Sequence, residues 1–593
     1  MSSWTYLKKY LKPEIKYLVY IFFNVVIYVL TFLLIPLVFG FIIDNLLKQE
    51  PVSGKVIIWL SSLLGGVDYL RHHLGIIFLV VVVLSIINAL FSYLKGKYSA
   101  YVSERINEKM RNDLYSHLQY LPYSFHQKNK SGELIQKCTS DVEQIRHFFS
   151  HQAADMVYSL TMTIASILIM ISINKELMYI CILSMPLIII IALWFFKRMQ
   201  KIFLASDEAE GEMLNVLQEN LQGNRVVKAF NREISQAKRF DEHIEVFNEK
   251  TFKVIKLLGL YWSLTDALCL LQILVTVFFG IQFAASGKIT TGEFYVFVTY
   301  EMSVLWPIRM LGRIIADMGK MFVSANRLAE IIDTKAEDLK EGIEPDLNGD
   351  IVFSDVHFKF DDGDTDALKG INLKIPTNKT TAIMGPIGSG KSTLVHLLCR
   401  LYDFQSGSIT INSYDLKKIA KGYLRKNIGI VLQEPFLFSK TIEENITISS
   451  PEAGYKEMEI AAKIASVHDV ISSFDRGYRT MVGERGVTLS GGQKQRISIA
   501  RVIINDVKVL IFDDSLSAVD SETDKSIRKA LNELAKGMTT IIITHRCDSA
   551  FLADNIVVLE NGKISQSGTH KSLIKQKGFY QDIYNLQKLQ GDK

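Results

Sequence analysis

Residues 385–392 read Gly385, Pro386, Ile387, Gly388, Ser389, Gly390, Lys391 and Ser392, the spacing of a phosphate-binding loop. Backbone N–H groups and the positive end of a following helix receive an anion there, and Lys391 reaches the outer phosphates. Ser392 is placed to ligate Mg2+, and Thr393 extends the nucleotide-binding set into the helix. A second element lies further on, where the apolar run Val509 to Phe512 ends in Asp513 and Asp514. A buried strand that delivers a carboxylate at its end is what a Mg2+–nucleotide site requires, with Asp513 in the metal shell. Between these two elements, Leu489, Ser490, Gly491, Gly492 and Gln493 precede a helix-like stretch at 494–504. Small residues opening a helix form another anion-binding end; taken alone, the segment reads better as a plain helix start.

These residues need a scaffold, and the pattern after Asp350 supplies one. Residues 351–360 and 367–375 read as strands, a third at 380–384 runs straight into the loop, and 393–401 follows as a helix. Short apolar runs alternating with helices predict an α/β nucleotide-binding fold.

The chain before about Phe322 is patterned differently. A helix needs about 20 mainly apolar residues to cross a bilayer. Six runs meet that need, at 17–43, 75–94, 156–173, 177–196, 257–283 and 294–319. The third and fourth are joined by a tight hairpin at 174–176, the fifth and sixth by a turn at 284–293. Buried helices of a soluble protein do not account for six such runs together. Segments 95–155 and 197–256 are rich in Lys, Arg and Glu, which places them, and both termini, in the cytoplasm. Apolar spacing at 105–121 and 212–230 predicts that the helices continue beyond the membrane. Residues 4–13 mix aromatics with Lys8, Lys9 and Lys12 and fit a short helix on the membrane surface.

Asp266 and Glu301 lie inside the fifth and sixth spans. A carboxylate in the membrane is expensive and faces a cavity, a partner charge or a pathway. One reading is a cavity favouring small cationic, amphipathic substrates; the other is pairing between helices. Asp266 is the stronger cavity candidate, because Arg309 and Arg313 lie within helical reach of the sixth span's polar face.

At 593 residues the chain exceeds one compact core. A net charge of +5 without a basic block speaks against nucleic acid as a partner. The five cysteines lack the paired spacing of a disulfide framework or a zinc site. The expected division is an interfacial helix at 1–14, a six-helix transmembrane domain at 15–323 in the lipid bilayer, a linker at 324–348 and a nucleotide-binding domain at 349–593.

With its motifs assembled, the chain resembles the ATP-binding cassette (ABC) transporters, specifically exporter-type half-transporters. The markers come in the family's order: the phosphate loop, Gln433 within 431–436, the signature at 489–493, the Asp513 strand, Ser517 to Asp520, and His545. Residues 122–133 and 218–224 look like the two cytoplasmic coupling regions, and 482–486 resembles the exporter-specific loop. The resemblance implies ATP and Mg2+ as ligands. It gives Gln433 the sensing of the γ-phosphate and Mg2+, and His545 a contact to the γ-phosphate. Phe360 stands where the adenine-stacking aromatic is usually Tyr, and keeps the stacking face. Ser490, Gly491, Gly492 and Gln493 would close over ATP held by a second half-transporter, so that two chains make two composite sites.

One position departs from the family pattern. Active members follow the metal-shell Asp with a Glu that polarises the attacking water; here Asp514 follows Asp513. A carboxylate one methylene shorter draws back by about 1 Å, a displacement that can cost about 10²-fold in rate. The favoured reading is a heterodimer with unequal sites, ahead of a homodimer with equal ones. Its function would be efflux of drugs or other amphipathic compounds across the plasma membrane. Behind it stand a dedicated lipid, peptide or metal-chelate transporter, import included, and an ATP-gated channel or regulatory subunit.

Overall fold

A computed structural model of the chain describes residues 2–50, 66–129, 131–361, 363–483, 486–515, 527 and 538–591. It divides into two compact units, one of Met1–Gln119 with Asn129–Lys335 and one of Tyr120–Lys128 with Ala336–Lys593.

The first unit is helical. Its helix Ile15–Phe41 has 27 residues, about 40 Å at 1.5 Å per residue, and exceeds the bilayer core of about 30 Å. The long helices that follow are Leu74–Gln119, Ala153–Ile173, Met185–Gln222, Glu233–Ala285 and Thr291–Asp333. Glu233–Ala285 alone has 53 residues, so it runs far past a bilayer's thickness; Leu74–Gln119 carries most of the predicted 105–121 extension, while the predicted 212–230 helix breaks at Gly223. The predicted hairpin is fixed by Asn174, whose Oδ1 accepts from the Leu177 N–H at 3.0 Å. Thr290 and Glu293 cap the last helix reciprocally.

Two expectations need correction here. The fourth run is interrupted: one helix ends at Ile182 and the next starts at Met185, with Pro186 in its first turn. Among the described residues, five helical stretches are long and apolar enough on their own to cross a membrane, and the sixth expected run lies in Thr291–Asp333. Glu301 and Arg309 sit inside it and dilute its apolar character. Finally, the aromatic face of the helix Ser3–Leu11 meets protein. Tyr6, Leu7 and Tyr10 are buried as this helix packs against Leu74–Gln119 and Thr291–Asp333. The Tyr10 hydroxyl and Lys9 Nζ both donate to Asp113, at 3.0 and 2.7 Å.

The second unit is α/β. An antiparallel sheet has the order β2-β1-β4-β5, formed by β1 (Ile351–Phe358), β2 (Leu368–Ile375), β4 (Ser406–Ile411) and β5 (Tyr414–Asp415). A second sheet has the order β10-β9-β3-β8-β7-β6. Its members are β3 (Thr380–Met384), β6 (Ile428–Val431), β7 (Val509–Asp513), β8 (Thr539–Ile543), β9 (Asn555–Glu560) and β10 (Lys563–Gly568). The pairs β3–β8, β3–β9, β7–β8 and β6–β7 are parallel. The near-continuous apolar sequence of β7, buried at every position, is what a strand covered on both faces requires. Parallel strands bring their carboxyl ends to one edge, where ligands bind in such sheets.

The expected linker 324–348 shrinks. Residues up to Asp333 belong to the long helix, and Leu347 joins the hydrophobic core of the α/β unit. Glu337, 8% exposed, accepts from Arg425 at 2.7 and 3.0 Å and from Lys421 at 3.0 Å. Unexpectedly, Tyr120–Lys128 folds with this unit: the Glu337 N–H donates to the Tyr120 carbonyl at 2.7 Å, and the Tyr402 hydroxyl donates to Gln127.

Candidate nucleotide site and intramembrane carboxylates

The loop between β3 and the helix Lys391–Leu398 depends on glycine at two places. Gly385 has φ +149°, and a Cβ there would run into the Leu559 carbonyl. Gly390 has φ +100° and caps the helix, while a Cβ would lie 2.8 Å from the Ala367 carbonyl. The helix begins at Lys391, two residues earlier than predicted, so its N-terminus opens directly on the loop. Ile387 projects at the tip, 93% exposed, with Pro386 and Gly388 exposed beside it.

Lys391 is buried and its Nζ donates to the carbonyls of Gly385 and Pro386 at 3.0 and 2.7 Å. Burial lowers its pKa, against the raising effect of Asp514 and Asp513. The Ser392 hydroxyl donates to Asp513 Oδ1 at 3.0 Å, which joins the two elements that the sequence marks as a Mg2+–nucleotide site. Burial pushes the Asp513 carboxyl up, opposed by Ser392 and by the charges of His396, Lys391 and His545. Among the described residues Ser389 Oγ is buried without a hydrogen-bond partner. An orphaned hydroxyl, a lysine folded onto its own loop and a Ser–Asp pair fit a Mg2+–triphosphate group. Ser392 and Asp513 would hold the metal; Ser389, Lys391 and the loop N–H groups would hold phosphate. Thr393 is half-buried in the first helical turn.

Asp514 adopts φ +46°, a left-handed backbone that Asp tolerates better than most residues. Its N–H donates to the Ile543 carbonyl at 3.0 Å. Burial raises its carboxyl and Asp513 adds to this, while His545, through its charge and its backbone N–H, and Lys391 lower it. Burial and then Lys391 lower His545, with both aspartates opposing. The two aspartates, His545 and Lys391 therefore form one electrostatic group. Phe360 is half-buried, edge-on to Phe358 at 4.8 Å and to Tyr402 at 5.3 Å.

Ser490 caps the helix Gly491–Ile503: its hydroxyl accepts from the Gln493 N–H at 3.3 Å, and Gln493 Oε1 accepts from the Ser490 N–H at 2.9 Å. Ser490 and Gly491 are exposed. Gln433 is exposed, and the same helix ties down the main chain around it. Gln495 Nε2 donates to the Leu432 carbonyl at 3.1 Å, and Arg501 donates to the carbonyls of Phe436 and Asn445 at 2.9 and 2.8 Å. Sequence reasoning missed Gln495 and Arg501. It also missed Gln587, which binds both sides of the His545 turn. The predicted Ser517–Asp520 motif and residues 484–485 of the exporter-specific loop lie outside the described residues.

In the helical unit, Arg309 donates to Asp266, and its guanidinium lies 4.7 Å from the Trp262 ring centroid and 5.5 Å from that of Trp306. The arginine on the sixth helix thus serves Asp266, and among the described residues Glu301 has no cation partner. Glu301 is wholly buried, and its Oε1 accepts from Gln272 Nε2 at 2.9 Å and Thr276 Oγ1 at 2.7 Å.

A helical membrane domain fused to an α/β unit with a phosphate loop and an acidic strand end defines an ATP-binding membrane transporter. Residues 18–308 match the ABC transporter transmembrane region and residues 368–517 match the ABC transporter domain. Similar proteins include a "Putative multidrug export ATP-binding/permease protein" of Staphylococcus aureus strain NCTC 8325, 33% identical over 591 residues, covering 98% of this chain and 100% of that protein. A counterpart of the same description in strain COL matches equally. A solved structure of a bacterial Atm1-family ABC exporter with ATP bound superposes with a TM-score of 0.79 at 25% identity, covering 96% of this chain and 98% of that one. The chain belongs to the ABC transporter family, and its cassette is an ATPase domain of the kind that drives transport.

Proposed function

We propose that this chain is one subunit of a heterodimeric exporter of drugs or other amphipathic compounds in the plasma membrane, and that its own ATP site hydrolyses slowly. Asp514 carries this reading. A carboxylate at this position must reach the attacking water, and Asp is one methylene shorter than the Glu of active members. The Gly385 loop, Lys391, Ser392 and Asp513 are otherwise complete, and the signature that this chain lends to a partner is intact.

Each residue has a place in that cycle. Lys391, Ser389 and the loop N–H groups bind phosphate, and Phe360 stacks on adenine. Ser392, Asp513 and Gln433 would hold the metal, which would neutralise phosphate charge. His545 and Asp514 face the γ-phosphate end. Ser490 to Gln493 complete the partner's site. ATP held without hydrolysis still stabilises a closed cassette pair through its differential affinity for that state. Glu301 is buried within the helical domain, whereas Asp266 is more than half exposed and pairs with Arg309. The relatives named for multidrug export support the substrate class.

The test is steady-state ATPase of the purified chain, alone and with a co-purified second half-transporter. Low activity alone, restored by the partner and unaffected by Asp514→Ala, is expected. Ordinary exporter turnover by the chain alone, abolished by Asp514→Ala, would sink the heterodimer.

A further inference from the structure

We propose that Glu301, with Gln272 and Thr276, forms a cation-binding site inside the helical unit, taking a proton or the positive centre of a transported compound. The second occupant rests on the export reading; the first does not.

The carboxylate is held asymmetrically. Oε1 accepts two hydrogen bonds, and Gln272 Nε2 is itself anchored on the Ile180 carbonyl at 2.8 Å. Oε2 is equally buried and has no hydrogen-bond partner among the described residues. Amide and hydroxyl dipoles orient the group but bring no charge. An ionised carboxylate removed from water needs a positive partner.

Among the described residues no cation pairs with Glu301. Helix Glu233–Ala285 offers Gln272, Thr276 and the thiol of Cys269. Helix Lys175–Ile182 offers Cys181, whose Sγ is 3.5 Å from Thr276 Oγ1, while Glu176 at its start pairs with Lys288 at 2.8 Å. Helix Ile15–Phe41 has no acidic or basic residue beyond Lys16, and Met185–Gln222 has none before Lys197. Helix Ala153–Ile173 carries only Asp155, paired with Lys95 at 3.3 Å. On Glu301's own helix, Arg309 is committed to Asp266, and the neighbouring Tyr300 hydroxyl donates to the Leu33 carbonyl at 2.5 Å. In this packing Oε2 is buried and makes no hydrogen bond to any described residue. An organic cation enters when the helices Glu233–Ala285 and Thr291–Asp333 part, and the proton leaves as it arrives, so charge balances.

The experiment is infrared difference spectroscopy of the full-length chain in its dimer in lipid, wild type against Glu301→Gln, with tetraphenylphosphonium as the organic cation. A neutral-acid carbonyl band should be present in the wild type and missing from E301Q. Tetraphenylphosphonium should remove that band and bind E301Q about tenfold more weakly. A band insensitive to the cation supports the site with a proton as occupant; weaker E301Q binding without a band supports the organic cation. Absence of the band together with equal binding by both proteins overturns the proposal. Thr276→Val removes an Oε1 donor and should shift the band, which keeps the test open if E301Q does not assemble. Failure of the export reading would show separately, as vesicles without ATP-driven dye movement whose carbonyl band persists.

Discussion

Gln587 brackets His545: its Nε2 donates to the His545 carbonyl at 2.9 Å, and its Oε1 accepts from the Cys547 N–H at 2.8 Å. A residue on the helix Phe579–Gly591 thus fixes the turn that carries His545, the proposed γ-phosphate contact. Two hydrogen bonds of about 1 kcal/mol each bound the effect of Gln587→Ala at roughly ten- to thirtyfold in turnover. The loss should fall on kcat in the assembled transporter and leave the KM for ATP little changed. An equal loss in both would make Gln587 a binding residue instead.

Restoring the missing methylene is the complementary test. Asp514→Glu should raise hydrolysis at this chain's own site by about 10- to 10²-fold, measured with the partner's site silenced. The left-handed backbone at this position suits Asp better than Glu, so full recovery is not expected. A rate unchanged by the substitution would place the slow step elsewhere.

Asp266 and Arg309 are best probed as a pair. Asp266→Asn leaves a buried guanidinium without its counter-charge; Asp266 itself is more than half exposed, so the expected cost is about 1–3 kcal/mol. Adding Arg309→Met should recover most of that loss in thermal stability of the membrane-embedded protein. If cationic dye transport then returns with stability, Asp266 is a packing partner; if stability returns without transport, it lines the pathway.

Glu337 gives the cassette an acid-sensitive contact. Burial works to raise its carboxyl, and the hydrogen bonds from Arg425 and Lys421 overcome this, holding it below the usual carboxylate range. A carboxylate lowered in the folded state stabilises above its unfolded pKa, and the contribution disappears as pH falls through the folded value. Glu337→Gln should therefore lower the melting temperature at neutral pH, by roughly 4–8 °C for a loss of about 2 kcal/mol. Wild type and variant should converge in acid; a constant gap would refute the linkage.

The nucleotide site was largely legible because its chemistry is local in sequence. Spacing within 385–392 dictates the loop, and an apolar run ending in Asp513 dictates the strand that Ser392 meets. Gln587 was not legible, since a glutamine in a terminal helix has no distinguishing pattern and its target lies more than 40 residues away. Glu337 sat in a charged stretch that reads as a linker, and only folding reveals its partners. In sequence Arg309 lies within reach of its own helix's polar face, whereas its pairing crosses to Asp266 on another helix, which periodicity cannot foresee. Amphipathic spacing at the N-terminus likewise fits a membrane surface and a protein surface alike.

The nine residues Tyr120–Lys128 fold with the cassette, and this bears on how the molecule can be divided. A fragment beginning at Ala336 would strip Tyr123 from its ring contacts with Tyr402 and His396, 5.6 and 6.1 Å away, and would leave the Glu337 N–H without its carbonyl. The natural unit is discontinuous, so a soluble cassette should be stickier than its sequence suggests and should be rescued by a short peptide supplied in trans.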